Sequence, residues 1–337
     1  MNQAIDRSLA TDLLWVAIGP ERQAVITTEI ERERVVRDFE PAASDFEMVA
    51  VPWYGDSQFV DAAVRFLGTA AEALAADCHP AFGRDARADV IRMRLTHTAA
   101  AQEELRQLGA DTADSLESAL RDWVPGEVDR SIQARLVGSL ESKGVEPVTV
   151  IVSGDERVRA FRHPMASGVP VRELAMAVIV ARRGGLHAAA TRLASAGPLD
   201  AELKSRLRLV RSVEDAVLQA SRAGATYGRA AEVLERAYAA AGHNGAWAEH
   251  YQGGPIGYAG REFELAPGER GSPWWDVPIE SGQAVAWNPS LRGGAKVEDT
   301  YLVGRDGLAC LTPPGDWPTE PDLGGFAQQR PAVLDVG

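Results

Sequence analysis

The chain has 337 residues, 45% hydrophobic and 25% charged, which is enough for two globular domains. Forty-eight acids against 35 Lys and Arg give a formal net charge of −13, which argues against nucleic-acid binding, because the basic clusters, such as ARRGG at 181–185, are too short to make a segregated basic face. Cys78 and Cys310 lack a partner motif and fit reduced thiols, and the N-terminal apolar run is too short and too acidic for a signal peptide or spanning helix, so a cytoplasmic protein with no membrane partner is expected.

Strand-like and helix-like segments alternate through about residue 93: LLWVAIG, QAVITTEIERERVV, FEMVAVPWYG, then SQFVDAAVRFLGTAAEALAADC. In the last, Phe59, Val60, Ala63, Phe66 and Leu67 recur at helical spacing and predict one long amphipathic helix. That order predicts a small α/β domain over 1–93. From Thr96 helices take over. THTAAAQEELRQLGADTADSLESALRDW reads as one long helix, and PGEVDRSIQARLVGSLESKG as a second that carries acids in its first turn and stops at Gly144. EPVTVIVSG is strand-like, and LAMAVIVARRGGLHAAATRL reads as a hairpin turning at Gly-Gly. Helices follow over 200–221 and 227–242. In the Gly-, Pro- and Trp-rich remainder, AWNPSLRGGAKVEDTYLV reads as two strands joined by a Gly-containing turn, and LTPPGDWPTEPDLGG as an irregular, exposed tail. Strands grouped apart from helices predict an α+β second domain over 94–337, with helices packed on a curved sheet.

LLWVAIGPERQAVITTEIERER, VPGEVDRSIQARLVGSLESKG and VEDTYLVGRDGLACLT stand in an order and spacing that resembles the pita-bread metallopeptidase superfamily. That group includes aminopeptidase P, prolidase, methionine aminopeptidase and the metal-free creatinase. The resemblance spans nearly the whole chain. It implies a pita-bread domain, with a curved antiparallel sheet and covering helices, behind a small creatinase-like α/β domain, and it implies a homodimer. It also implies five side chains holding two divalent ions, because cations that close need several carboxylates to offset their repulsion. HAAATRL matches the pattern at Thr191 and Arg192 but has Ala189 at one aspartate, with Val178 near the other. Gly254 stands at the ligand histidine when Ile256 and Gly257 are aligned, His250 falling four residues early, and WNPS puts Asn288 at a glutamate. Glu298, in VED, remains. One carboxylate does not balance two doubly charged ions, so no metal ligand and no cofactor are expected.

Creatinase-like chemistry implies a histidine general acid/base, and FRHPMASG offers His163, whose ordinary pKa of ~6.5 suits proton transfer near neutrality. Glu298 would grip an amine or guanidinium, or position a water. Period-two alternation puts His187 and Thr191 on the face of Ala189, Lys296 on the face of Glu298, and Trp287 away from Asn288. The small side chains at 188–190 are expected to leave room for an organic group. His163, Glu298 and His187 are thus the catalytic candidates, and His250, Tyr251, Gln252, Arg261, Asn288 and Lys296 the substrate-binding ones.

Each has a structural alternative. His163 before Pro164 fits the end of a loop, and His187 an exposed hairpin position. His250 to Gln252 could be a hydrogen-bonded connection. Arg261 with Glu262, and Lys296 with Glu298, could be structural ion pairs. No Gly-x-Ser-x-Gly elbow, His-Glu-x-x-His, phosphate loop or Cys-x-x-Cys is present, and GGPIGYAG lacks the strand-to-helix context of a dinucleotide site.

The first expectation is a metal-independent Xaa-Pro peptidase-like or creatinase-like protein that cleaves a C–N bond in a small amino-acid-, imino-acid- or peptide-like substrate. One alternative is an inactive relative that binds a ligand or a partner protein. The other is a dinuclear aminopeptidase P or prolidase whose ligands lie in a different register. The enzyme reading weakens sharply if Glu298, Lys296 and the two histidines do not face one cavity.

Overall fold

A computed structural model describes residues 14–39, 44–55, 57–77, 79, 81–320 and 329–337; Cys78 lies outside them. The chain divides into two compact units, Met1–Met93 and Arg94–Gly337.

In the first unit β1 (Leu14–Ile18) pairs antiparallel with β2 (Gln23–Thr28); α1 (Arg32–Phe39) then returns the chain to β3 (Phe46–Val51), parallel to β2. α2 (Gln58–Leu67) lays Ala62 and Ala63 on Ala17, Ile26 and Val51. The long helix predicted here stops halfway. Gly68 adopts the left-handed conformation at φ 66° and its N–H closes on Val64 O, a helix-ending geometry open to glycine. A 3-10 turn at Ala71–Ala73, the short parallel pair β4 (Ala75–Ala76) and β5 (Arg84–Asp85), and α3 (Arg87–Leu95) follow.

The second unit opens with α4 (Ala99–Arg121), whose Thr98 side chain accepts from Ala101 N as its N-cap, and α5 (Asp129–Ser142). β6 (Glu146–Gly154), α6 (Asp155–Ala160), β7 (Leu174–Arg183) and β8 (Leu186–Ser195) come next, β7 and β8 turning at Gly184 and Gly185, with φ of 57° and 83°. After α7 (Ala201–Ala220) and α8 (Tyr227–Ala240) the chain forms β9 (Gly253–Ile256), β10 (Ala284–Trp287), β11 (Ser290–Leu291), β12 (Ala295–Lys296), β13 (Asp299–Val303) and β14 (Leu308–Cys310). β15 (Thr319–Glu320), β16 (Arg330–Pro331) and β17 (Leu334–Asp335) end it.

Two four-stranded sheets result, in the orders β17-β8-β7-β6 and β14-β13-β10-β9. They join where β8 meets β13. Thr300 Oγ1 donates to Ala189 O at 2.9 Å and accepts from Ala189 N at 2.8 Å, and Thr191 N donates to Glu298 O at 2.9 Å. α4 and α5 bury Leu105, Leu108, Leu116, Ile132 and Leu136 with Ile179, Ala188 and Ala190 of the first sheet.

Arg192 locks this junction from the α4-facing side of β8, the side that carries Ala188 and Ala190. Fully buried, its guanidinium donates to Glu117 on α4 at 2.9 Å, to Asp299 on β13 at 2.8 Å, and to the carbonyls of Thr191 and Thr312.

Three expectations need correction here. Residues 284–303 are not a simple hairpin. β10 pairs with β13, and β11 with β12 forms a smaller hairpin between them, because Pro289 has no N–H for the ladder and breaks the first strand. Ala188, Ala189 and Ala190 leave no room, being packed in the core. The tail is irregular over 311–318, as expected, but not uniformly exposed: Leu311, Thr312 and Trp317 are buried. Beyond it, β17 pairs in parallel with the edge of β8. An uncovered strand edge offers unpaired backbone groups, and the C-terminus satisfies them. Arg330 anchors it by ion pairs with Glu214 and Asp215.

Candidate functional site

The interrupted strand places Lys296 and Glu298 close together at the sheet junction. Both are buried, with Lys296 Nζ 3.9 Å from Glu298 Oε2. The same oxygen accepts from Thr191 Oγ1 at 3.2 Å, and Oε1 accepts from Asn288 Nδ2 at 3.2 Å. Asn288 therefore supplies a donor that an ionised acid at this position could not. Burial pulls the Lys296 pKa down, Glu298 pulls it up, and the nearby charges of Arg261 and Arg162 lower it further.

Above this pair lie two histidines. His163 follows α6 and is exposed; His250, half-buried, follows a 3-10 turn at Ala246–Glu249. Their Nε2 atoms are 3.1 Å apart. Burial is the main cause that lowers the His163 pKa, with Lys296 and Arg162 adding to it and Glu298 opposing. Burial, then Lys296, His163 and Arg162, push His250 down to about 2. Both rings are thus neutral at pH 7. Arg162 is held by Glu249 at 2.7 Å and by Ser290 Oγ at 3.0 Å.

The histidines line an open cleft of about 570 Å³ with Arg162, Glu249, Tyr251 and Glu264. Glu298, Lys296 and Thr191 instead line a separate, narrow pocket of about 20 Å³, also lined by the C-terminal segment at Arg330 to Val333. That is room for about one water. The ion pair and the histidines are electrostatically coupled, but they face different spaces.

The remaining candidates separate. Gln252 is buried and used by the fold, donating to the carbonyls of Trp247 and His250 and accepting from Tyr238 OH. Tyr251 projects from the cleft rim, 69% exposed. Arg261 does not pair with Glu262. It contacts Glu264 at 3.3 Å and donates to the carbonyls of Gly254 and Ala286, while Glu262 pairs with Arg94 at 2.6 Å.

His187 is not brought to Glu298. It is buried rather than exposed, its Nδ1 lies 3.0 Å from Gly257 O, and it stands four residues from Thr191, roughly 13 Å along the strand. Two contributors escaped the sequence reading, Arg162 and Glu249. Each is the charged residue directly before a site histidine, and that was the available signal.

The residues do not fit a two-metal centre. Val178 and Ala189 are buried and apolar, Gly254 has no side chain, and Asn288 spends its amide on Glu298. Among the described residues no group of three or more His, Cys, Asp or Glu is placed to hold an ion. Lys296 supplies the charge that answers Glu298.

The depressed histidines make acid stability a direct test. A ring held neutral when folded but free to protonate when unfolded, at its ordinary ~6.5, favours the unfolded state increasingly as pH falls. For His250, with its pKa at about 2, the loss is ~1.4 kcal/mol for each pH unit below 6.5. Urea unfolding at pH 7.5 and 5.5 should show this decline. His250→Gln should flatten it, and an unchanged slope would contradict the environment described.

In the second unit, helices packed on two joined, largely antiparallel sheets make up the pita-bread fold; the first unit is a small α/β one. An X-Pro aminopeptidase from Thermotoga maritima MSB8 is similar in structure, with a TM-score of 0.71 at 19% identity, covering 97% of this chain and 91% of that one. A dipeptidase from Mycobacterium ulcerans superposes with a TM-score of 0.73 at 18% identity, covering 97% and 88%. An Xaa-Pro dipeptidase from Bacillus anthracis gives 0.69 at 19% identity, covering 93% and 89%. No curated protein matches the sequence. Residues 103–305, more than half of the chain, match metallopeptidase family M24, and the protein belongs to that family.

Proposed function

We propose that this M24 protein works without a metal on a small amino-acid-, imino-acid- or peptide-like substrate, cleaving a C–N bond with His163 as general acid/base. The observation that carries this reading is the pairing of Glu298 with Lys296 beneath a neutral histidine pair that opens on the cleft. A neutral imidazole at the cleft surface can take a proton from water and return it to a leaving amine. Glu298, closed in by Lys296, Asn288 and Thr191, acts through charge rather than by touching substrate, and His187 has no part in the step.

The Xaa-Pro aminopeptidase and dipeptidase neighbours make proline-containing dipeptides the first substrates to try. In the same reading 1–93 is a creatinase-like domain, 94–337 the peptidase-like one, and the protein a cytoplasmic homodimer, a state that light scattering would check. Purified protein is expected to carry no stoichiometric metal and to keep its turnover in EDTA. His163→Ala should lower kcat by ~10²-fold or more with the fold intact. Turnover that disappears with chelator and returns with manganese would refute the proposal.

A second reading, a catalytically inactive relative that binds a ligand or partner in the cleft, is favoured by one observation: the ion pair does not face the cleft that the histidines line. Saturable binding of a dipeptide with no turnover would establish it.

A further inference from the structure

The contact between the two histidines has a direction that the distance leaves open. At 3.1 Å between Nε2 atoms, one proton must lie between them, since two lone pairs or two N–H groups would repel. We propose that His250 is a positioning residue: its half-buried imidazole accepts the Nε2–H of His163, leaving Nδ1 of His163 as the nitrogen that exchanges protons with the cleft. This rests on the acid–base role proposed for His163.

The direction follows from the two states that such a role requires. As a base, His163 takes a proton from water or substrate on one nitrogen while the other keeps its N–H; as the resulting acid, it carries a proton on both. An accepting partner suits both states with no rearrangement. A donating His250 would lose its acceptor the moment His163 became protonated.

His250 can remain an acceptor because its surroundings resist a second proton. Lys296, Arg162 and His163 all act against it, and burial does most. Glu298 acts on the His163 ring instead, and Glu249, next in the chain to His250, is engaged by Arg162 and Arg292. His250's own proton then sits on Nδ1, which is buried without a hydrogen-bond partner, a cost that the contact with His163 offsets.

Long-range 1H–15N correlation spectra of the uniformly labelled full chain read the tautomer directly, His163→Gln serving to assign the His163 signal. At pH 7.5 His163 should show a protonated Nε2 and a pyridine-type Nδ1. His250→Phe should mix its tautomers and shift its titration, while His250→Gln, whose amide oxygen can accept, should restore the single tautomer. A protonated Nδ1 on His163 in the unaltered protein would overturn the proposal, and so would a His163 spectrum unmoved in His250→Phe. Should His250→Phe fail to fold, the spectrum of the unaltered chain decides alone. Because no substrate enters the measurement, failure of the acid–base role would appear separately, as turnover that survives His163→Ala.

Discussion

Arg192→Met is expected to destabilise the second unit by ~3–5 kcal/mol, the usual cost of removing one partner from a buried charge network. The guanidinium is wholly enclosed and donates to two carboxylates and two carbonyls. Without it Glu117 and Asp299 stay buried with their charge unopposed. Burial already raises the Asp299 pKa and Arg192 is what chiefly holds it down, so in the variant Asp299 should protonate more readily when folded than when unfolded. A group whose folded pKa is raised contributes stability at low pH and loses it as pH rises. The variant should therefore sit closer to the unaltered protein at pH 5 than at pH 7.5. Arg192→Lys keeps the charge but not the planar fork and should recover only part of the loss. Chemical denaturation at the two pH values checks the whole pattern, and an Arg192→Met midpoint within error of the unaltered protein would rule it out.

Lys296→Met should cost about 3 kcal/mol, at the lower end for a broken buried pair, because Glu298 keeps its bonds to Thr191 and Asn288. Removing the acid as well, in Lys296→Met with Glu298→Gln, should return most of that stability, and the double-mutant cycle isolates the interaction. The same variant tests coupling to the cleft. Lys296 is among the charges that lower the pKa of both His163 and His250, so its loss should raise the NMR titration midpoint of His163. If the midpoint stays in place, Lys296 does not govern the histidines and the electrostatic link between pocket and cleft is absent.

Sequence reading served well where the deciding contacts are local. The period of apolar residues in α4, α7 and α8, and Gly184 and Gly185 between β7 and β8, each act within a few residues of themselves. It overran at α2, where Gly68 took the left-handed conformation that ends a helix, a choice the residue allows but does not force. Adjacency in the chain does not pair Arg261 with Glu262: the fold turns Glu262 toward Arg94 and Glu264 toward Arg261.

The exposure of the tail is misread for a different reason. Thr312, in that stretch, is buried because its carbonyl accepts from Arg192 on β8, 120 residues earlier in the chain. No local pattern carries that information.

What the sequence by itself determined is the inventory of chemistry: a single acid at Glu298, an amide at Asn288, apolar or absent side chains at 178, 189 and 254, and a lysine two residues from the acid. Tertiary structure alone decided how these are used. It brought His163 to His250 across 87 residues of chain, turned His187 toward Gly257, and separated the ion pair from the open cleft. The reason is that residue type sets which protons and charges exist, whereas burial and long-range contact set their distances, partners and affinity for a proton.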